Sequence, residues 1–222
     1  EDNVPVMEFG RNLVIKDFNN DGFDDLIIAD HGLDADPFPG QSNIVALSDG
    51  MGGLVRSSFD FETEPQFTHS VAVGDFNGDG NSDFFIGNLG VDNAYIATLL
   101  PNGDVVRDRF DIGNDVNQFV YSLAADIDGD GFDELILGGD NNVDAEARNV
   151  VVNLEGGTPV VRQLPNFASL SGTIDASKGA IVLDIETTDL NADGRLDLLL
   201  MATGADPFYQ GFDFQALQQT AG

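Results

Sequence analysis

Short apolar runs alternate with acidic, glycine-rich turns along the whole chain. The runs "NLVIKDF", "SVAVGDF", "YSLAADI" and "AIVLDIETTDL" each lead into a polar loop. A second run follows each loop: "DLIIAD", "DFFIGN", "DELILG" and "DLLLMA". These runs are short, bounded by Gly and Asp, and rich in Ile, Leu, Val and Phe, as buried strands are. Each polar loop is therefore expected to be the turn of a β-hairpin. A third strand-like run comes next in every repeat, in "NIVALSDG", "AYIATLLPNG", "NVVVNLEGG" and "DFQALQQ". A fourth appears in three of them, in "LVRSSFDF", "VVRDRFDI" and "VVRQLPNF". Turn chemistry in "SDGMGG", "PNGD" and "EGG" separates the third run from the fourth.

The unit is thus a four-stranded antiparallel sheet repeated four times, at approximately 10–66, 67–118, 119–179 and 180–222. One such sheet cannot bury both of its faces alone, and stacking several radially solves that problem. The predicted fold is all-β, a β-propeller of four-stranded blades, spanning residues 1–222 as one domain or propeller segment. The fourth repeat stops after its third run, and "VPVMEF" near the N-terminus is a candidate for the missing strand. Two related segments, "DADPFPG" at 34–40 and "GADPFYQG" at 204–211, occupy equivalent places in repeats one and four.

The four loops share the pattern D-apolar-[DN]-x-D-G-x-x-[DE]-[LF] and begin at Asp17, Asp75, Asp126 and Asp189. Oxygen ligands at positions 1, 3, 5 and 9 of a tight loop suit a hard cation, and calcium accepts six to eight oxygens in irregular geometry. Position 6 is Gly in every copy (Gly22, Gly80, Gly131, Gly194), where the chain must turn sharply. The carbonyl of position 7, from Phe23, Asn81, Phe132 and Arg195, is the expected backbone ligand. Asp, Asn and Gly also make good turns without a metal. Four aligned loops with the same ninth-position acid weigh against that reading, because unscreened carboxylates this close repel one another. A helical calcium loop needs an acid at position 12, which here is Ile28, Ile86, Leu137 and Leu200.

On these residues the chain resembles the FG-GAP and VCBS-type repeats found in integrin alpha-chain propellers and many bacterial exported proteins. In that family the hairpin loop between the first two strands of a blade binds one calcium ion, which implies about four ions here. The resemblance assigns Asp17, Asn19, Asp21 and Asp25 to blade one, and Asp75, Asn77, Asp79 and Asp83 to blade two. It assigns Asp126, Asp128, Asp130 and Glu134 to blade three, and Asp189, Asn191, Asp193 and Asp197 to blade four. Blade three departs by its longer Glu at position 9. Propellers of the family usually close with about seven blades, which favours reading the chain as part of a larger propeller; a closed four-bladed ring is the alternative.

Composition changes this picture in one respect. The chain has 222 residues, 39 acids and 9 bases, for a formal net charge of −30. Thirteen of the acids are loop ligands, so calcium explains part of the charge and a solvated acidic surface the rest. Nucleic acid and anionic membranes are disfavoured as partners, since both require a basic face. No apolar run is long enough to cross a bilayer as a helix. There is no cysteine, hence no disulfide framework, thiolate metal site or thiol nucleophile. The chain opens at Glu1 with neither Met nor a signal-like segment, as a processed form or a fragment would.

No phosphate-binding or dinucleotide fingerprint is present. His31 and His69 lie in different contexts and read as isolated loop histidines, so no catalytic residues are assigned and no enzyme activity is expected. The resemblance implies a secreted, bacterial-type protein, extracellular or on the cell surface. It would act as a calcium-stabilised binding or adhesion module for protein or carbohydrate; the alternative is a non-catalytic propeller segment of a secreted polysaccharide-active enzyme. Phe38, Tyr95 and Phe208 are candidate contact points for an otherwise unidentified ligand, with packing between blades as the competing role.

Overall fold

The computed structural model describes residues 9–57, 64–89, 94–100, 102, 104–110, 112, 119–139, 149–165, 180–204 and 210–219. Blade one contains β1 (Gly10–Lys16), β2 (Asp25–Asp30), β3 (Ile44–Ser48) and β4 (Leu54–Arg56). Blade two contains β5 (Thr68–Gly74), β6 (Asp83–Asn88), β7 (Tyr95–Leu99) and β8 (Val105–Arg109). Blade three contains β9 (Phe119–Ala125), β10 (Glu134–Gly139), β11 (Val150–Asn153) and β12 (Val160–Gln163). Blade four contains β13 (Ala180–Thr188), β14 (Asp197–Gly204) and β15 (Gln210–Leu217). Strands pair antiparallel in chain order within each sheet.

The all-β propeller-blade architecture expected from the repeats is the observed one. The fourth sheet has three strands among the described residues, in keeping with its shortened repeat. Residues 4–8 of "VPVMEF" and residues 205–209 of the second DPF segment, Phe208 included, lie outside the described residues. No helix among the described residues is long and apolar enough to cross a membrane.

Every first hairpin has the same construction. Its strands are in register next to the acidic loop, as in Lys16 opposite Asp25 and Thr188 opposite Asp197. A bulge then shifts the register toward the far end, between Gly10 and Asn12 in blade one and between Val182 and Asp184 in blade four. Such bulges sharpen strand twist.

The chain divides into two compact units, residues 1–75 with 79–111, and residues 76–78 with 112–222. In the first, blade two lays Val71 and Val73 of β5 and Phe84 and Ile86 of β6 against Phe18, Ile27 and Val45 of blade one. The Phe18 and Phe84 rings meet edge to face at 5.2 Å between centroids. Alternate residues of β1 point into this contact: Asn12 Oδ1 accepts the Val71 amide at 3.0 Å, and Lys16 Nζ donates to the Val73 carbonyl at 3.4 Å. In the second unit, Val182, Ile185, Leu198 and Leu200 of blade four pack with Ile127, Ile136 and Val151 of blade three. Counted from the loop starts, Phe18 and Ile27 of blade one are the same repeat positions as Ile127 and Ile136 of blade three. Val45 and Val151 lie opposite Ile27 and Ile136 in register. The blade contact is therefore specified by the repeat itself.

A buried polar chain joins blades one and two beside this core. The Asp30 amide donates to Asn43 Oδ1 at 2.9 Å, and Asn43 Nδ2 donates to Thr68 Oγ1 at 3.1 Å. Thr68 Oγ1 donates in turn to Asn88 Oδ1 at 2.7 Å, and Asn88 Nδ2 donates to Gln66 Oε1 at 3.0 Å. All five residues are buried. Thr68→Val keeps the shape but removes a donor and acceptor from the middle, taking one bond from Asn43 and one from Asn88. Chemical denaturation should show a loss of about 2–4 kcal/mol, against under about 1 kcal/mol for a surface Thr→Val substitution.

Candidate metal centre

The acidic loops fold alike in all four blades, and backbone amides explain how. The first Asp accepts the amide of position 5 on one oxygen, at 3.1 Å in each loop. Its other oxygen accepts the amide of the position 6 glycine, at 2.8–3.0 Å. The position 5 Asp accepts the amide of position 7, at 2.8–3.0 Å. The side-chain oxygens of Asn19, Asp128 and Asn191, at position 3, also accept the position 5 amide. Short polar side chains thus wrap the loop around their own oxygens, as Asx turns do.

Two loop positions require the left-handed backbone. Position 6 has φ of 90°, 80°, 98° and 85° at Gly22, Gly80, Gly131 and Gly194. A Cβ there would meet nothing within 4 Å, so the constraint is the backbone conformation and not space. Position 4 is left-handed too: Asn20, Gly78, Gly129 and Ala192 have φ of 61°, 73°, 78° and 60°. Sequence reasoning left position 4 unassigned, although Asn or Gly in three of four copies was the signal. Ala192 holds this conformation without the tolerance of Asn or Gly.

Positions 1, 3 and 5 gather on the exposed loop. In blade three, Asp126, Asp128 and Asp130 each offer an oxygen, and these oxygens lie within 4.8 Å of one another. Calcium–oxygen distances of about 2.3–2.6 Å separate two ligands of one ion by no more than about 5 Å, so the cluster has the right span. The other three loops replace the acid at position 3 with Asn, a neutral oxygen donor.

Position 9 sits differently. Asp25, Asp83, Glu134 and Asp197 are all buried beneath their loops. Asp25 accepts the Phe18 amide at 3.1 Å and the Ser48 amide of β3 at 2.9 Å. Asp197 accepts the Leu190 amide at 2.9 Å and the Gln219 amide beyond β15 at 2.8 Å. Glu134 accepts the Ile127 amide at 3.0 Å, and its longer arm reaches the side-chain amide of Asn153 on β11 at 3.1 Å. Asp83 accepts the hydroxyl of Thr98 on β7. The ninth acid therefore ties loop to sheet, a duty that the ligand pattern did not reveal. Each carboxylate oxygen has a second lone pair, so this duty leaves room for ligation.

Burial pushes the Asp25 carboxyl above its ordinary range; the Ser48 and Phe18 amides oppose the rise, and the carboxylates of Asp21 and Asp17 add to it. Glu134 is raised in the same way, by burial first and by the charges of Asp128 and Asp130, against the Ile127 and Asn153 hydrogen bonds. A cation over the loop would relieve both the burial cost and the like-charge repulsion. The donor set is all oxygen and fits a hard cation of the calcium type.

Residues 17–86, which hold the first two loops and the strands between them, match the family model described as FG-GAP-like repeat. Loops three and four repeat the amide-to-carboxylate bonds that positions 1 and 5 make in that stretch.

Two expectations need correction. Tyr95 is buried, with the Arg107 guanidinium carbon 3.6 Å from its ring centroid, so it packs inside blade two and is no surface contact point. His31 and His69 are not isolated: their rings stack at 5.0 Å between centroids, both are buried, and Phe67 lies 4.7 Å from His69. Their distance in sequence hid this, since only the folding of blade two onto blade one brings them together. Phe38 is half exposed and edge to face with Phe67 at 5.4 Å, and it remains a surface candidate.

Burial, with Arg11 and His31 nearby, lowers the His69 pKa from 6.5 to about 3. A depressed histidine contributes stability that is complete above the unfolded pKa and is lost as pH falls from 6.5 toward 3. The loss approaches about 1.4 kcal/mol per pH unit within that window. His69→Phe should flatten this part of the pH profile. Between about pH 6.5 and 4.5 the wild type should lose roughly 2 kcal/mol more than the variant, by urea denaturation at each pH. Opposite signs are expected in the loops. Gly131→Ala should cost about 1–2 kcal/mol, while Ala192→Gly should gain a few tenths to about 1 kcal/mol by the same measurement.

Proposed function

We propose that this chain is a calcium-stabilised β-propeller module of an exported protein, whose exposed surface binds a protein or carbohydrate partner. The observation that supports it best is the fourfold recurrence of one loop: three oxygen-bearing side chains at the rim, and a fourth side chain, a buried carboxylate, beneath them. In blades one to four the ion would be held by Asp17, Asn19 and Asp21; Asp75, Asn77 and Asp79; Asp126, Asp128 and Asp130; and Asp189, Asn191 and Asp193. The ninth-position acid and the position 7 carbonyl would complete each set. Bound calcium supplies positive charge that pins the hairpin, and no reaction step is assigned to it.

The role is structural in this reading, and binding energy becomes folding energy. Extracellular calcium modules bind at roughly 10⁻⁴–10⁻³ M, so about 10 mM calcium would contribute about 1.4–2.7 kcal/mol per site. Partner recognition belongs to exposed elements such as the loop at Phe38. A glycan array run with and without calcium would separate lectin from protein adhesion. Turnover of polysaccharide by the purified chain would overturn a purely binding role.

Thermal melts test the metal. In about 10 mM calcium the Tm should lie about 10 °C or more above that in excess EDTA; superimposable melts would overturn the proposal. Asn191→Ala and Asp197→Ala should then differ. The first should reduce the calcium-dependent shift while lowering the EDTA melt only slightly, because the Asp193 amide that loses Asn191 Oδ1 keeps its bond to Asp189. The second should lower the EDTA melt as well, because it removes the tie from the Leu190 and Gln219 amides.

A further inference from the structure

Position 4 of the loop is not among the ligand positions, yet it is where one loop meets the next. In loop one, Asn20 Nδ2 donates to the Gly80 carbonyl of loop two at 3.4 Å. In loop two, Gly78 lies against the Phe132 ring of loop three, and a Cβ at that glycine would run into the ring. Each of these pairs falls inside one compact unit. Only loop one has a hydrogen-bonding side chain at this position; the other loops have Gly78, Gly129 and Ala192.

The group that Asn20 holds belongs to the peptide between Gly80 and Asn81. The N–H of that peptide donates to Asp79 Oδ1 at 2.8 Å, and Asn81 Nδ2 donates to the same oxygen at 2.8 Å. In a trans peptide the C=O and N–H point in opposite directions. The peptide is therefore pinned from both sides, by its own loop through Asp79 and by the neighbouring blade through Asn20. The Gly80 amide on the preceding peptide donates to Asp75 at 2.9 Å. The next carbonyl along, that of Asn81, is the expected backbone ligand of site two. Its direction follows from the tilt of the pinned peptide, and Gly80 has no side chain of its own to fix that tilt. Buried packing in turn places the donor. Phe18, two residues before Asn20, meets Phe84 edge to face at 5.2 Å, and Lys16 Nζ donates to the Val73 carbonyl at 3.4 Å.

We propose that Asn20 is a positioning residue for the calcium site of loop two, in the neighbouring blade, and not for the site of its own loop. The inference rests on the calcium reading given under Proposed function. With the Gly80–Asn81 peptide held in place beforehand, less ordering is left for the ion to impose, and affinity at site two rises accordingly.

A calcium titration of the full chain followed by proton–nitrogen NMR tests this site by site. The position 6 glycine amides each donate to the first acid of their loop, so Gly22, Gly80, Gly131 and Gly194 report the four sites separately. Asn20→Gly removes the donor and keeps the left-handed backbone, since Gly already holds this position in loops two and three. The bond is long and solvent-exposed, so the calcium midpoint at Gly80 should rise by about two- to threefold, while the midpoint at Gly22 stays unchanged. A substitution that merely loosened loop one would shift Gly22 first. An unchanged Gly80 midpoint, or a Gly22 midpoint that moves as far as Gly80, would overturn the inference and leave the calcium reading standing. If none of the four amides responds to about 10 mM calcium, both are overturned.

Discussion

The buried carboxylate at the ninth loop position is the interaction on which each blade depends. In blades one, three and four it accepts the amide that follows the first loop acid and a donor from the third strand or just beyond it. One side chain thereby joins the turn, the second strand and the third. Without it, the Phe18, Ile127 and Leu190 amides and their third-strand counterparts would lose a charge-assisted hydrogen bond beside the sheet. The arrangement has a cost. A buried carboxylate below a ring of other carboxylates is held by its hydrogen bonds against desolvation and like-charge repulsion, and the raised Asp25 and Glu134 express that tension. A divalent cation at the rim would relieve it.

This gives the loop two layers with separate duties. Positions 1, 3 and 5 fold the turn around their own oxygens and present them outward. Position 9 faces inward and fastens the turn to the sheet. Blade three shows that the inner layer tolerates a change of length: Glu134 keeps the Ile127 amide and exchanges a backbone partner for the Asn153 side chain. The strands beyond the loop then deliver apolar residues to the adjoining blade at fixed distances from the first loop acid. The same few positions form the blade contact in both compact units.

Much of the fold was legible because it repeats. Four aligned loops located the hairpins, and the apolar runs after them located the second, third and fourth strands to within a few residues. The oxygen-bearing positions were legible for the same reason. What was missed involves either geometry without a side-chain signature or partners far apart in sequence. Ala192 gives no hint of a left-handed backbone when read alone. Asn43, Thr68 and Asn88 look like ordinary strand polar residues until blade two folds onto blade one and closes them into a hydrogen-bonded chain. Tyr95 looked available because an aromatic residue next to a loop reads as exposed, and the fold placed it under Arg107.

The sequence by itself determined the repeat, the hairpin turns, the all-β class and which side chains bring oxygen to each loop, because these depend on residues close together along the chain. Tertiary structure decided which of those oxygens face outward and which are buried, that His31 and His69 stack, and which apolar faces are covered. Those outcomes depend on which sheet lies against which. A continuous apolar run says that both faces of a strand are apolar, but only packing says which of them meets a neighbour.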